Sequence, residues 1–564
     1  MNKRRRLIVA LACAACVSAP VWAADGDAPA PQPNQASEVQ QLKSQLEQQQ
    51  KQIEQLRVAL EAQQKLIEKA VAAAPAEPEH QMPNLGDVAS TTPIIPRGTA
   101  AGVAVAAPAQ QIGVSQNPPA KSEQEVSPSP LTIHVGDASI TPVGFMDITN
   151  TFRSTNAGTS LQTNFGSFPY NNTVQGRTTE DKWSAENSRI GFRVDAKVKG
   201  ANVLGYFEGD FVGGAGNGSN NTQVSSNSML FRIRQYYVDV RKGFWEVLAG
   251  QAWSMLLPNR RGMSPLPADL FYTQVVDVNY TNGLFWGRIP GVRFIGHPSK
   301  TVAFGLALEN SDPYFGGSGG GGTPVLPSAF ATSYNTQIDN GSNNDRAVST
   351  LHPDIIAKIT YDPSSRAHFE VAGLESSVRV FNPVTSQFFT KAGGGVTATV
   401  NVGLTKTLRV ISANYYNDGG GRYIFGAAPN FIIRADGSPS LVHSASTVSG
   451  FEATIKNFAP YVYYGGVYID RNVAYDANGT TKIGYGFPGS ANGQNRSIQE
   501  ITMGWTHTIW RDSKYGALQW MAQYAYFFRN PWAVSPGAPK SAHESVAWFN
   551  LRYVLPGSAP TVQY

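Results

Sequence analysis

An all-β fold is predicted: a sixteen-stranded antiparallel transmembrane β-barrel, preceded by an N-terminal α-helical coiled coil. Three observations predict it. From about Thr141 onward the chain is a train of roughly sixteen segments alternating between apolar and polar residues. Their connections are alternately long and very short, as in an up-and-down barrel with loops on one side of a membrane and turns on the other. Ahead of them lies a strict seven-residue apolar repeat, the mark of helices that associate along a seam.

The first 23 residues read as a secretory signal peptide. Lys3-Arg4-Arg5-Arg6 is a basic start, Leu7 to Val17 an apolar stretch too short to span a bilayer, and Val21-Trp22-Ala23 a small-residue cleavage site. Both cysteines, Cys13 and Cys16, fall inside it as apolar filler, and neither follows a convincing lipidation pattern. The remaining chain has no cysteine and so does not depend on disulfides.

Residues 37–71 form the heptad segment. Val39, Leu46, Ile53, Leu60 and Ile67 recur by sevens, with Leu42, Gln49, Leu56, Gln63 and Ala70 as companion positions. Lys43, Glu47, Glu54, Arg57, Glu61, Lys65 and Glu68 lie outside the seam. A coiled coil of this length runs roughly 48 Å, and the two seam glutamines suit the setting of register and strand number. A lone amphipathic surface helix is the alternative, but a strict seven-residue repeat favours self-association. Residues 72–130 are rich in Pro, Ala, Gln and Ser, with ten prolines from Pro75 to Pro130, and read as a disordered linker.

Residues 131–564 are the barrel domain. Its strands are expected near 140–153, 187–198, 201–213, 228–241, 243–253, 289–298, 301–310, 351–362, 366–381, 392–406, 407–418, 443–457, 458–471, 496–510, 514–529 and 543–555. Lys199-Gly200, Lys242-Gly243, Pro298-Ser299-Lys300, Pro363-Ser364-Ser365 and Asp512-Ser513 are tight-turn chemistry. Loops rich in Gly, Asn and Ser occupy 154–186, 214–227, 254–288, 311–350, 419–442 and 472–495. An even strand count puts both chain ends on the short-turn side, the periplasm, together with the coiled coil.

Alternation assigns the faces. In Arg189 to Asp195 the even positions are apolar and face lipid; in Phe451 to Lys456 the odd ones do. Ile501, Met503 and Trp505 alternate with Glu500, Thr502 and Gly504, and Phe549 and Leu551 with Asn550 and Arg552. A soluble barrel would turn its apolar face inward, so polar faces this charged favour a water-filled lumen.

Charge gives the lumen a sign. The whole chain is +5, but residues 24–130 carry 12 acids against 7 bases and residues 131–564 carry 34 bases against 28 acids. The candidate filter is the connection from Ser254 to Arg288, which holds Arg260 and Arg261 ahead of a Pro-Ala-Asp-Leu-Phe-Tyr stretch able to form one helical turn. Its ordinal place is that of the loop that folds inward in porins. Arg189, Arg193, Arg232, Arg234, Arg288 and Arg293 are expected on the adjoining wall, with Glu208 and Asp210 holding some of them. A guanidinium is always charged and grips carboxylates in two-pronged fashion, so a narrow ring of them concentrates small anions. The plain alternative is that these arginines pair with wall acids and stiffen the barrel.

Trp505, Trp510, Trp520, Tyr524, Tyr526, Phe528, Trp548 and Tyr553 are read as interfacial girdle aromatics. The eight histidines make no metal-spaced pair, no Gly-x-Ser-x-Gly occurs, and Gly316 to Thr323 has no lysine for a phosphate loop. No catalytic residue, cofactor, metal or nucleic-acid partner is expected.

The chain resembles the DcaP-like trimeric outer-membrane porins. The resemblance is carried by Ser188 to Phe192, Gly205 to Phe211, Leu230 to Val238 and Gly250 to Ser254, in that order after the coiled coil. It implies a homotrimer of sixteen-stranded barrels in the bilayer and lipopolysaccharide of a Gram-negative outer membrane. It also implies a periplasmic coiled coil and uptake of small anions such as dicarboxylates, with Arg189, Arg232 and Arg234 as pore residues. The expected function is therefore a passive diffusion channel preferring small anionic solutes. A structural protein tethering the membrane to peptidoglycan through its coiled coil is the alternative.

Overall fold

The computed structural model describes Lys51 and residues 129–556, except 214–228, 272, 318–321, 335–347, 383 and 426. Lys51 is helical and exposed. The expectations of a signal peptide, a coiled-coil seam and a linker otherwise lie outside the described residues.

Sixteen strands close into one barrel: β1 (Ala138–Arg153), β2 (Arg189–Val198), β3 (Ala201–Asp210), β4 (Arg232–Lys242), β5 (Trp245–Trp253), β6 (Arg288–Gly296), β7 (Val302–Glu309), β8 (Asp354–Ser364), β9 (Ala367–Asn382), β10 (Gln387–Gly403), β11 (Leu408–Asp418), β12 (His443–Ala453), β13 (Phe458–Ile469), β14 (Asn495–Asp512), β15 (Gly516–Pro531) and β16 (Ala542–Val554). Each pairs antiparallel with the next, and β1 pairs with β16 from Phe145↔Val554 to Arg153↔Val546, which closes the ring. β1 pairs with β2 over its first half and with the short segment Glu180–Ser184 over its second. Closure joins the strands in a ring without an open sheet edge, the condition for crossing a bilayer with strands. Among the described residues no helix is long and apolar enough to cross a membrane.

All sixteen expected strands are present, with ends shifted by a few residues. The largest shift is β10, which begins at Gln387 rather than near 392, so β9 and β10 form a long hairpin paired from Ala367↔Val402 to Asn382↔Gln387. The turn after β2 has Lys199 at φ 48° and Gly200 at φ 77°. Two successive positive φ values are the geometry that matches strand twist in a two-residue hairpin.

The outer face is apolar as the alternation requires. Ile190, Phe192, Phe304, Leu306, Ile359, Val371, Phe451, Ile501, Met503, Phe549 and Leu551 are exposed, while Arg189, Lys358, Glu370, Glu452, Glu500, Asn550 and Arg552 on the same strands are buried inside. One aromatic expectation is corrected. Trp548 is fully buried, shares the inward parity of Asn550 and Arg552, and donates its Nε1–H to the Leu161 carbonyl at 3.2 Å. An indole so placed packs a loop against the wall rather than anchoring at the membrane interface.

The core lies inside the barrel, where the long connections pack against inward residues of the strands, among them Ile356, Ile411, Val448, Ile498 and Phe527. Phe165 and Phe168 from the first long connection, Leu256, Phe271 and Phe285 from the third, Tyr423 and Ile432 from the connection after β11, and Tyr485 from that after β13 form one buried cluster with Trp253 and Trp548 of the wall.

The candidate filter: an inward loop and an arginine wall

The connection from Ser254 to Gly287 runs through the lumen, as its ordinal place suggested, and is held there by inward side chains from strands all round the barrel. On the β7–β9 wall, Glu309 accepts the Met255 N–H at 2.7 Å and Glu370 accepts the Asn259 N–H at 3.1 Å. Lys358 donates to the Leu257 carbonyl at 2.9 Å and to Asn259 Oδ1 at 2.8 Å. Lys358 is itself paired with Glu370 at 2.8 Å, and His368 links Glu370 to Asp362.

Arg260 crosses to β12 and makes two hydrogen bonds, 2.9 and 2.7 Å, with Glu452, whose second partner is the Tyr463 hydroxyl at 2.6 Å. Farther along, Gln523 of β15 accepts the N–H groups of Val276 and Asp277, and Glu500 of β14 accepts that of Asn282. The loop backbone comes so close to β13 that a Cβ at Gly465 would stand 2.0 Å from the Asn282 carbonyl oxygen. Glycine is the residue that permits that approach.

Among the described residues of the Pro-Ala-Asp-Leu-Phe-Tyr stretch no helix forms; Asp269 N–H closes a single turn on the Leu266 carbonyl at 2.9 Å, and residues 259–270 make a hairpin with a bridge between Asn259 and Leu270. Backbone partners across the hairpin, Arg260 N–H to Asp269 O at 2.7 Å and Phe271 N–H to Pro258 O at 2.8 Å, use the groups a helix would need.

The arginines expected on the wall fall into two groups. Arg189, Arg232, Arg234 and Arg288 sit together with Glu208 and Asp210. Arg234 donates to Glu208 Oε1 at 2.7 Å, to Asp210 Oδ2 at 2.6 Å and to the Tyr280 hydroxyl at 3.1 Å. Arg232 is bidentate on Asp210 at 3.0 and 2.9 Å, with its side chain 35 % exposed. Arg189 lies 3.7 Å from Glu208 and over the Phe145 ring.

Arg288, cross-strand partner of Trp253, stacks over Trp253 and Trp286 at 5.5 Å from each centroid. It has no carboxylate or hydrogen-bond partner among the described residues, and its Nη1 is buried without an acceptor. Trp253, Tyr280 and Trp286 contact one another edge-on at 5.6 to 5.9 Å. This aromatic triad holds Arg288 on its two indoles and Arg234 on one of them, Trp253, at 5.6 Å.

The other two wall arginines lie toward the short-turn end. Arg193 is bidentate on Asp195 at 2.7 Å, and Arg293 faces Glu309 at 3.6 Å. Arg261, on the hairpin of the inward loop, is exposed. The ten candidate residues thus separate into a charge cluster on β2–β6, a lower pair of ion pairs and two loop arginines with opposite fates.

Sequence reasoning passed over the residues that hold the loop. Glu452 stands in the alternating stretch Phe451 to Lys456, and its inward parity was readable there. The loop contacts of Tyr280, Lys358 and Glu370 had no such signal, because those partners are between 46 and 111 residues away.

No family model and no curated protein matches the chain. Among solved structures, the outer membrane channel DcaP of Acinetobacter baumannii matches with a TM-score of 0.53 at 17% identity, over 74% of this chain and 97% of that one. An anion-selective porin from Comamonas acidovorans matches at 0.41 and 11% identity, over 74% and 99%. OmpF of Salmonella typhi, in complex with daunomycin, matches at 0.39 and 9%, over 75% and 100%. The first of these likenesses is one of fold, and it falls on the family that the sequence resembles: the chain is built as a DcaP-like closed barrel.

Proposed function

We propose that this chain is a passive diffusion channel of a Gram-negative outer membrane, with a preference for small anions such as dicarboxylates. The observation that carries the reading is the charge imbalance around Arg288. Four guanidiniums share two carboxylates, and the one with no carboxylate is braced by two indoles instead. Stacking holds such a group at a modest cost, since a guanidinium is weakly hydrated.

Arg232 and Arg288 are the two members of the cluster that keep part of their surface open. Two such groups on adjacent parts of one wall suit a solute with a carboxylate at each end. Glu208 and Asp210 fix Arg234 and Arg189, so these act as the frame on which the open arginines are held.

Assembly as a homotrimer, with residues 37–71 as a periplasmic coiled coil, belongs to the same proposal and rests on the heptads. The heptads equally favour a second reading, a tether between membrane and cell wall in which conduction is incidental. Single-channel recording in a salt gradient tests both. Anion-directed reversal potential, with current reduced by a four-carbon dicarboxylate, is expected; cation preference sinks the arginine filter, and absence of conductance leaves only the tether.

A further inference from the structure

The rim of the barrel at the end with the long connections carries a second cationic feature. Trp532 follows β15 and lies across the ends of β13 and β14, donating its Nε1–H to the Ile469 carbonyl at 2.9 Å and its backbone N–H to the Gln494 carbonyl at 3.0 Å. Two guanidiniums stand over this one indole, Arg471 at 5.8 Å and Arg496 at 5.9 Å from its centroid. Both are exposed, and neither has an ion pair or side-chain hydrogen bond among the described residues. The neighbouring acid, Asp470, turns its carboxylate to the Arg471 backbone N–H at 2.8 Å.

Arg496 reaches this place through a defect in the ladder. Residues 501 and 503 of β14 face outward, so an even-numbered residue on a regular strand would point into the lumen. The register slips between Asn495 and Ser497, and the bulge turns Arg496 out. Bulges re-aim side chains in this way and cost local pairing, so they persist where the re-aimed group is used. Below the pair, exposed Tyr464 and Tyr468 continue the outer aromatic belt, with Tyr468 edge-on to Trp532 at 6.2 Å.

We propose that Arg471, Arg496 and Trp532 form a binding site for a phosphate group of an outer-leaflet glycolipid. The position is the argument for that ligand. Aromatic rings of this kind sit at headgroup level, and two uncompensated guanidiniums just beyond them meet the phosphates of an anionic leaflet. Guanidinium and phosphate match as planar donor fork and tetrahedral acceptor, and the indole orders both donors in advance. The inference rests on the outer-membrane reading but not on conduction.

The test uses the full-length protein in detergent with three probes: bisphosphorylated lipid A, its dephosphorylated form and inorganic phosphate. The Arg471→Ala, Arg496→Ala double variant should bind the phosphorylated lipid on the order of tenfold more weakly than the parent. The dephosphorylated lipid should bind both proteins alike, and inorganic phosphate at equal concentration should not compete. Equal lipid binding by parent and variant overturns the site, as does full competition by free phosphate, which would make the ligand a small anion. A disulfide between copies of a Tyr468→Cys variant would make this face a contact between protomers and also overturn it. Arg496 is turned out by the bulge and Arg471 lies in the connection after β13, apart from the arginine cluster on β2–β6, so conductance should be unchanged in the double variant; a silent parent channel would count against the proposed transport and leave the lipid result standing.

Discussion

Arg260 and Glu452 are 192 residues apart and meet inside the barrel through two hydrogen bonds of 2.9 and 2.7 Å. Arg260 comes from the inward loop and Glu452 from β12, on a different wall from the strands that bracket the loop. Both side chains are buried, and Phe271 lies under the guanidinium at 5.1 Å. The pair fixes how far the hairpin 259–270 extends across the lumen.

Removing one partner should therefore release the hairpin. Arg260→Ala leaves Glu452 buried with the Tyr463 hydroxyl and its cross-strand neighbour Arg409, a loss of up to about 3–5 kcal/mol for a broken buried pair. Hydrogen exchange across 259–271 should rise in this variant, and rise less when both residues become methionine. Unchanged exchange in Arg260→Ala would mean that the wall contacts of Met255 and Asn259 suffice.

Arg288 and Arg234 should respond differently to truncation. Arg288→Ala removes a charge that no carboxylate needs, so anion-over-cation permeability should fall by about twofold or more with little effect on thermal stability. Arg234→Ala leaves Glu208 and Asp210 short of donors and should lower both selectivity and stability. Reversal potentials and melting of the folded barrel separate the two. If Arg288→Ala keeps the parent's selectivity, the proposed filter lies elsewhere.

The inward loop also predicts a pH response. Burial pushes the carboxyl of Asp277 up to about 6, against hydrogen bonds from Thr163 and the Asn279 N–H. Burial likewise pushes Asp269 up to about 6, opposed by Ser264 and Arg261. A raised acid is charged above that value and neutral below it, so lowering pH from roughly 7.5 to roughly 5 removes negative charge from the loop. Anion preference should increase over that interval, and by a smaller step in Asp277→Asn. An identical step in the variant would assign the titration to other groups.

Deleting 37–71 should leave a conducting barrel, because the ring is closed by the pairing of β1 with β16. Trimer stability in gel filtration and cross-linking is expected to weaken. Loss of conductance on deletion would contradict a modular chain.

The fold was legible because its signals are local. Period-two alternation marks each strand and its lipid face, turn residues such as Lys199-Gly200 mark the short side, and loop length marks the other. The same parity placed Trp548 beside Asn550 and Arg552, yet its aromatic character suggested the girdle; parity was the better guide. Charge pairs between adjacent strands were also within reach, since Glu208 and Arg234 sit on neighbouring strands of one hairpin region.

The sequence by itself determined sixteen strands, their faces and the connection that folds inward. Tertiary structure alone decided which charges are spent and which are left. Arg234 is enclosed by two carboxylates and a tyrosine, while Arg288, equally arginine and equally inward, has two indoles and no carboxylate. That difference depends on where Tyr280 and Trp286 return across the lumen, and on partners such as Glu452 nearly two hundred residues away. No local pattern encodes such distances, because they arise only when the ring closes and the loop must satisfy its buried backbone against whatever walls it meets.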